Sequence, residues 1–258
     1  MVYLHKQTKT QTIMKLQKMC FTLVLCALSF NAFAQKKVAV VTFYADKMVG
    51  FSGLDIPGGE MLLKNILDLR NNPDFNLTPM LNKYHDAFFN EYAKKLPFEL
   101  LQETVVTENQ EYIDFTPKFD VGGYDALNYV MYPGYKFIWE GMLGKSNEEA
   151  MAKMFADKAD GVLFVNISFD MQKGFGMGST STIKMRVNTR IALYNKTGKK
   201  VFAFTEGENS KKTGVMVKGI PVMSPKKILP MCESAMEQLM GDLDKKLAKI
   251  AKKAAKNL

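Results

Sequence analysis

Histidine is nearly missing from this 258-residue chain: His5 and His85 are the whole supply. That excludes His-rich zinc sites and the H-E-x-x-H hydrolases, which need two histidines on one helix face. A Ser-His-Asp triad would have to use His85, yet no G-x-S-x-G elbow exists to present its serine. Cysteine is equally scarce. Cys20 and Cys26 lie in the N-terminal apolar run, so only Cys232 remains beyond it. One thiol forms no internal disulfide, and the fold must stand on its hydrophobic core. A long hydrophobic run is also lacking. The longest, Met19 to Phe30, is shorter than the roughly 20 residues that span a bilayer as a helix.

That short run has the marks of an export signal. Lys15 and Lys18 precede it, and Ala32-Phe33-Ala34 supplies a small-x-small cleavage pattern before Gln35. Residues 1–34 therefore read as an upstream extension plus a cleaved signal peptide, with Met14 the more natural start. Residues 35–258 remain as a single mature domain. A lipoprotein would need a Cys after a small residue at the end of the run. Cys26 follows Leu25 and Cys20 follows Met19, so the expectation is an exported protein, periplasmic or secreted, without that anchor.

The basic balance is local. Taking the four lysines of residues 1–34 and the six of 245–258 from the net +9 leaves the body at −1, since neither end carries an acid. A nucleic-acid partner calls for a basic stripe across the folded surface, and the near-neutral body argues against one.

Hydrophobic periodicity gives the fold class. Val38 to Tyr44 is a near-continuous apolar, β-branched run that suits a buried strand. A Gly/Pro-containing loop follows, then a short helix around Glu60 to Arg70. Thr78-Pro79 opens a helix in which Leu81, Tyr84, Phe88, Tyr92 and Leu96 recur at helical spacing, until Pro97 ends it. Glu99 to Thr107 reads as a second strand. Residues 108–145 form an irregular aromatic insertion. Ser146-Asn-Glu-Glu149 is a capping box opening a helix with Met151, Met154 and Phe155 on one face. Strands three and four follow, with Val165, Ile167, Phe169 and Met171, then Ile183, Met185, Val187, Ile191 and Leu193, at period two. Asn195-Lys-Thr-Gly198 turns into a fifth strand from Lys200 to Glu206. Ser224-Pro225 begins a long final helix whose apolar stripe runs from Cys232 through Met236, Leu239, Leu243, Leu247 and Ile250 to Ala254. The expected architecture is an α/β (α+β) sandwich, β-α-β-α-β-β-β-α, with a mixed sheet, a C-terminal meander and a long C-terminal helix.

That order, the opening "KKVAVVTF", the "ADKADGVLFVNISF" joining a helix to a strand and the hairpin "IALYNKTGKKVF" resemble the periplasmic domain of the CsgG curli-secretion proteins and the LpoB-type activators of penicillin-binding proteins. A related module occurs at the N-terminus of TolB-like proteins. The resemblance covers residues 36–110 and 146–255. It implies envelope scaffolding, oligomeric assembly or partner activation, with no active site. Both named families are usually lipid-anchored through an N-terminal Cys that this chain lacks.

Four segments invite a chemical reading. "KGFGMGSTST" (173–182) looks like a phosphate cradle, but no lysine follows its glycines as a P-loop requires, and no helix follows as in a dinucleotide fingerprint. It reads instead as a hairpin tip, with Gly174, Phe175, Gly176, Met177 and Gly178 free to contact a partner. The insertion holds nine aromatics, and Tyr124, Tyr129, Tyr132, Tyr135 and Trp139 are its candidate partner or ligand surface; packing onto the core is the alternative for such rings. Glu99, Glu103, Glu108, Glu111 and Asp114 cluster in sequence, and a glycosidase needs only two carboxylates suitably spaced; solvated surface charges are the simpler account. The lysine face of the last helix allows weak contact with a membrane surface or a cell-wall polymer.

No catalytic set, metal site or cofactor site is expected. The leading expectation is a non-enzymatic envelope module that binds a protein partner, with homo-oligomerisation left open. A carbohydrate-binding or carbohydrate-acting protein using the aromatic insertion is one alternative. A CsgG-like oligomeric pore built from the strands within 162–193 is another.

Overall fold

The computed structural model describes residues 36–54, 69–70, 72–118, 128–141, 145–177 and 179–254, without the side chains of 225 and 248–254. The leader, all but the last two residues of the helix expected over 60–70, Tyr124 and Gly178 therefore lie outside the described residues. Contacts divide the chain into residues 1–35 and 36–258.

The second unit is built on one mixed sheet. β1 (Lys37–Gly53), β2 (Glu99–Leu100), β3 (Tyr129–Met131), β4 (Gly161–Met177), β5 (Thr180–Asn195), β6 (Lys200–Val217) and β7 (Ile220–Pro221) run in the order β2-β1-β4-β5-β6-β7. β1 pairs parallel with β2 and β4, and β3 adds antiparallel to β1 further along the same edge. From β4 onward every pairing is an antiparallel hairpin. The α/β class with a mixed sheet, C-terminal meander and long final helix is what the periodicity predicted.

Three expectations need correction. The strand expected over 99–107 is two residues long. Once the Leu101 amide has bonded to the Val38 carbonyl, the chain turns at Gln102–Glu103 into a helical turn, α2 (Thr104–Thr107), followed by α3 (Gln110–Asp114). At Thr78 the hydroxyl does not cap α1 (Thr78–Ala87); the side chain of Asn76 instead accepts the Thr78 amide at 3.0 Å. α4 (Lys145–Met154) begins ahead of Ser146. Its Asn147 straps the chain instead, exchanging hydrogen bonds with the Lys118 backbone and donating to the Trp139 carbonyl.

α1 widens into a π turn over Phe88–Tyr92 and tightens at Ala93–Lys95, so the helical spacing read to Leu96 holds with a changed pitch. α5 (Pro225–Ala254) buries Cys232, Met236, Leu239, Leu243 and Leu247 along one stripe. α1 and α5 pack on the sheet face formed by Phe43, Leu163, Val165, Ile167, Phe169, Met171, Ile183, Met185, Val187 and Ile191. The opposite face carries a smaller cluster, Ala39, Val41, Val162, Phe164, Ala192 and Tyr194, beneath Met151, Phe155, Val106, Tyr112 and Ile138. Near the chain's entry the sheet is thus covered on both sides, while this second cluster ends where Val41, Phe164 and Ala192 end.

Candidate functional site

Beyond that limit the second face turns polar, as strand alternation requires once no apolar layer covers it. Its rungs join Tyr44, Asn166 and Arg190, then Ser168 and Asn188, then Gly50, Asp170 and Arg186. All of these side chains except the glycine are half-buried. Three of them are also tied to one another. Arg186 Nε donates to Asn188 Oδ1 at 3.2 Å, and Asn188 Nδ2 donates to Asp170 Oδ2 at 3.3 Å. Ser52 donates to the other Asp170 oxygen. The result is a ladder of half-buried donors and acceptors, with Arg186, Asn188 and Asp170 linked into one chain.

The aromatic insertion walls this platform. Tyr44 meets Tyr129 and Phe137 edge to face, with ring centroids 5.2 and 5.0 Å apart. Tyr129 stacks on Phe137 at 4.0 Å, and Phe137 touches Trp139. Trp139, the single tryptophan of the chain, ends the series 40% exposed. Burial, with Tyr129, Asp46 and Glu140 adding to it, pushes the Tyr44 hydroxyl well above its ordinary pKa, so it remains a neutral donor.

Glu140 fastens the wall to the sheet. Its carboxylate accepts from Arg190 Nε at 2.5 Å and Nη2 at 2.8 Å, and also from the Tyr194 hydroxyl; Lys200 Nζ stands 3.2 Å away. Burial alone would raise its pKa. The bonds from Arg190 and Tyr194 and the charges of Arg190 and Lys200 outweigh burial and hold the carboxyl below its usual range. Tyr112 adds a second bolt, donating to the Val41 carbonyl at 2.8 Å and accepting the Lys136 amide at 2.9 Å.

The sequence-predicted aromatics are divided by the fold. Trp139 and half-buried Tyr129 border the platform. Tyr135, 5% exposed, faces the α1 side and donates to Glu103 Oε1 at 3.0 Å. Tyr132, half-buried, lies flat on His85 with centroids 3.4 Å apart and planes 7° from parallel. These two tyrosines pack the insertion onto the core rather than present it. His85 is buried, with Nε2 2.6 Å from Glu103 Oε1. Of the acidic cluster, Glu103 is spent on this contact, while Glu99, Glu108, Glu111 and Asp114 are exposed. Cys232 is fully buried on α5. Among the described residues, no three His, Cys, Asp or Glu side chains gather to hold a metal ion. Nor is any described helix long and apolar enough to cross a membrane.

The glycine loop joins two strands. β4 and β5 stay paired to Met177↔Thr180, with a bulge between the Lys173 and Gly176 pairs. Gly174 and Gly176 lie where a Cβ would come within 2.3 Å of Thr182 Oγ1 and 2.5 Å of Ser181 Cβ, so close strand approach accounts for both.

The polar ladder was the feature least visible in sequence, although the alternation of Asn166, Ser168 and Asp170 with apolar residues marks one solvated face. The Glu140–Arg190 pair joins residues 50 apart and left no local trace.

No family model and no curated protein matches the chain. Among solved structures, it is similar to a neuraminyllactose-binding hemagglutinin homolog from Helicobacter pylori, at 9% identity and a TM-score of 0.37, over 86% of this chain and 89% of that one. It is also similar to the lipoprotein GNA1162 from Neisseria meningitidis, at 13% identity and a TM-score of 0.26, over 80% and 99%. A minor lipoprotein from Acinetobacter baumannii gives 6% identity and a TM-score of 0.23, over 41% and 82%. Overlap at this level assigns the chain neither fold nor function.

Proposed function

We propose that the chain is an exported, non-enzymatic module of the cell envelope that works by binding a protein partner over the polar platform. The observation that supports the reading is the half-covered second face: a ladder of part-satisfied polar groups beside an exposed tryptophan on a rigid aromatic wall. Aromatic anchors over a polar field are what protein interfaces concentrate, because a stiff ring buries area with little loss of entropy. The resemblance of "KKVAVVTF" and "ADKADGVLFVNISF" to the CsgG, LpoB and TolB-N-like domains belongs to the same reading, and with it partner activation or assembly.

A photo-crosslinking residue at position 139 is expected to trap one discrete envelope protein in cells. Asn188→Ala with Asp170→Ala should weaken that adduct, while Phe175→Ser should not. Crosslinking that is diffuse, or indifferent to the ladder, would sink the assignment.

A glycan is the second reading. It is favoured by the Arg186–Asn188–Asp170 chain and by the exposed indole of Trp139, since planar amide, guanidinium and carboxylate groups suit sugar hydroxyls and an indole face suits a sugar ring. Binding on a glycan array that is lost in Trp139→Ala would move the proposal to this reading.

A further inference from the structure

At the end of the sheet away from the double-sided core, the second face changes character once more. Met177, Thr180, Val217 and Ile220 form one rung across β4, β5, β6 and β7. Thr182 and Val215 form the next, extended by Val222, whose amide bonds to the Val215 carbonyl. Residues directly opposite in adjacent strands share a face. The residues of the alternate rung, Ser181, Met216 and Pro221, are buried on the α5 side. Met177, Val215, Val217, Ile220 and Val222 are therefore left together on the open side, each exposed. Phe175, in the β4 bulge, is 82% exposed and Met177 80%. Exposed apolar groups gathered in this way mark an interaction surface.

The segments that carry them hold lysines and no acid. No Asp or Glu occurs between Met171 and Thr205, or between Asn209 and Cys232. These stretches supply the ends of β4 and β6, the start of β5, all of β7 and the opening of α5. They carry Lys173, Lys184, Lys211, Lys212, Lys218, Lys226 and Lys227. Lys218 sits in the β6–β7 turn itself at φ 51°, and Lys226 stands 3.8 Å from Asp74. The others have no ion-pair partner among the described residues.

An apolar tip within a lysine rim is complementary to a surface that is anionic outside and hydrocarbon within. We infer that this end of the sheet inserts into anionic lipid: Phe175, Met177, Ile220 and Val222 enter the acyl boundary, and the lysines lie among the phosphates. Peripheral insertion of this kind reaches roughly 5–10 Å and gains from both terms. The hairpin suits it, because β4 and β5 pair again beyond the Lys173–Gly176 bulge, at Gly176↔Ser181 and Met177↔Thr180, which satisfies backbone groups carried into the interface. The surface is separate from the polar platform and does not depend on the partner proposed there.

The test is flotation of the protein, in the form its cells accumulate, with vesicles of phosphatidylcholine alone and of phosphatidylcholine with an equal part of phosphatidylglycerol. Flotation is expected only with the anionic vesicles, and it should weaken as salt rises. Phe175→Ser with Met177→Ser should lower vesicle affinity by more than about tenfold. Lys173→Gln and Lys218→Gln should each lower it about fivefold. All of these positions are exposed, so circular dichroism and the thermal midpoint should not move. Trp139→Ala should float as the parent does. In a Trp139→Phe, Phe175→Trp variant, brominated lipid should quench the new indole. Equal flotation with both vesicle types, none with either, or an apolar double variant that still floats would overturn the inference. So would a double variant whose only change is lost self-association in light scattering.

Discussion

Nε2 of His85, on α1, lies 2.6 Å from Oε1 of Glu103, in the turn after β2, and the Tyr135 hydroxyl donates to the same oxygen. One carboxylate thus joins a helix, the short edge strand and the aromatic insertion. Glu103→Ala leaves a buried imidazole nitrogen and a buried phenol without a partner and should cost about 2 kcal/mol. Glu103→Gln retains an acceptor and should recover most of that. Urea unfolding midpoints of the two variants check the difference.

Glu140 should make stability depend on acid pH. Its folded pKa is held below the unfolded carboxylate value of about 4.3. A depressed carboxyl contributes its full stability above the unfolded pKa and loses it as pH falls through the folded one. The parent should therefore weaken in that acid window, and Glu140→Gln should flatten the slope. At neutral pH the variant leaves Arg190 unpaired. Because the Arg190 side chain is 34% exposed, the loss should be about 2 kcal/mol, below that of a fully buried pair. Denaturant curves across pH decide both points.

Two glycines should respond in opposite senses. A Cβ on Gly161 would lie 2.5 Å from the backbone oxygen of Tyr194, which cannot swing aside. Gly161→Ala should cost about 2 kcal/mol by overpacking. A Cβ on Gly241, in α5, would meet nothing within 4 Å. Gly241→Ala should stabilise by roughly 0.8 kcal/mol through helix propensity. Thermal midpoints of the two variants should move apart.

Cys232 should be inert while the protein is folded. Burial raises its thiol pKa far above the ordinary value, with Glu233 adding to the shift. A thiol reagent should label it only in the opened chain, at a rate that grows with denaturant as the open population does. Mass spectrometry at Cys232 reads that rate directly, and rapid labelling in native buffer would contradict the burial.

Strands β4 and β5 and helix α5 were legible because each repeats one period over many residues, as in Ile183-Met185-Val187 or Met236-Leu239-Leu243. β2 was overread. Glu99 to Thr107 has strand-forming residues, but only Glu99 and Leu100 find a partner in β1, and local preference does not know where a neighbour ends. β6 was cut short at Glu206 because Gly207, Ser210 and Gly214 interrupt the alternation. In the fold these are places where the strand passes close to neighbours: the Ser210 hydroxyl accepts the Met185 amide, and a Cβ on Gly207 would strike Asn188. The aromatic segment was recognisable by composition, but its division into a presented edge at Trp139 and a packed set at Tyr132 and Tyr135 depends on partners in β1, α1 and the turn at Glu103. Those contacts join residues far apart in sequence, which periodicity cannot report.

The first described strand, β1, ends up inside the sheet, its Lys37 amide bonded to Asp160, 123 positions further along. β1 can complete its hydrogen bonding only when β4 arrives, and β4 is held in place by a hairpin partner later still. Closing a loop of that length is entropically slow, and topologies dominated by such pairings form late and cooperatively. The apolar run Val38 to Tyr44 consequently spends the whole interval between its own synthesis and that of β4 without its place in the sheet. Acquisition of structure is timed from the C-terminal half, and a chain truncated before β4 would expose this apolar run without its β4 partner.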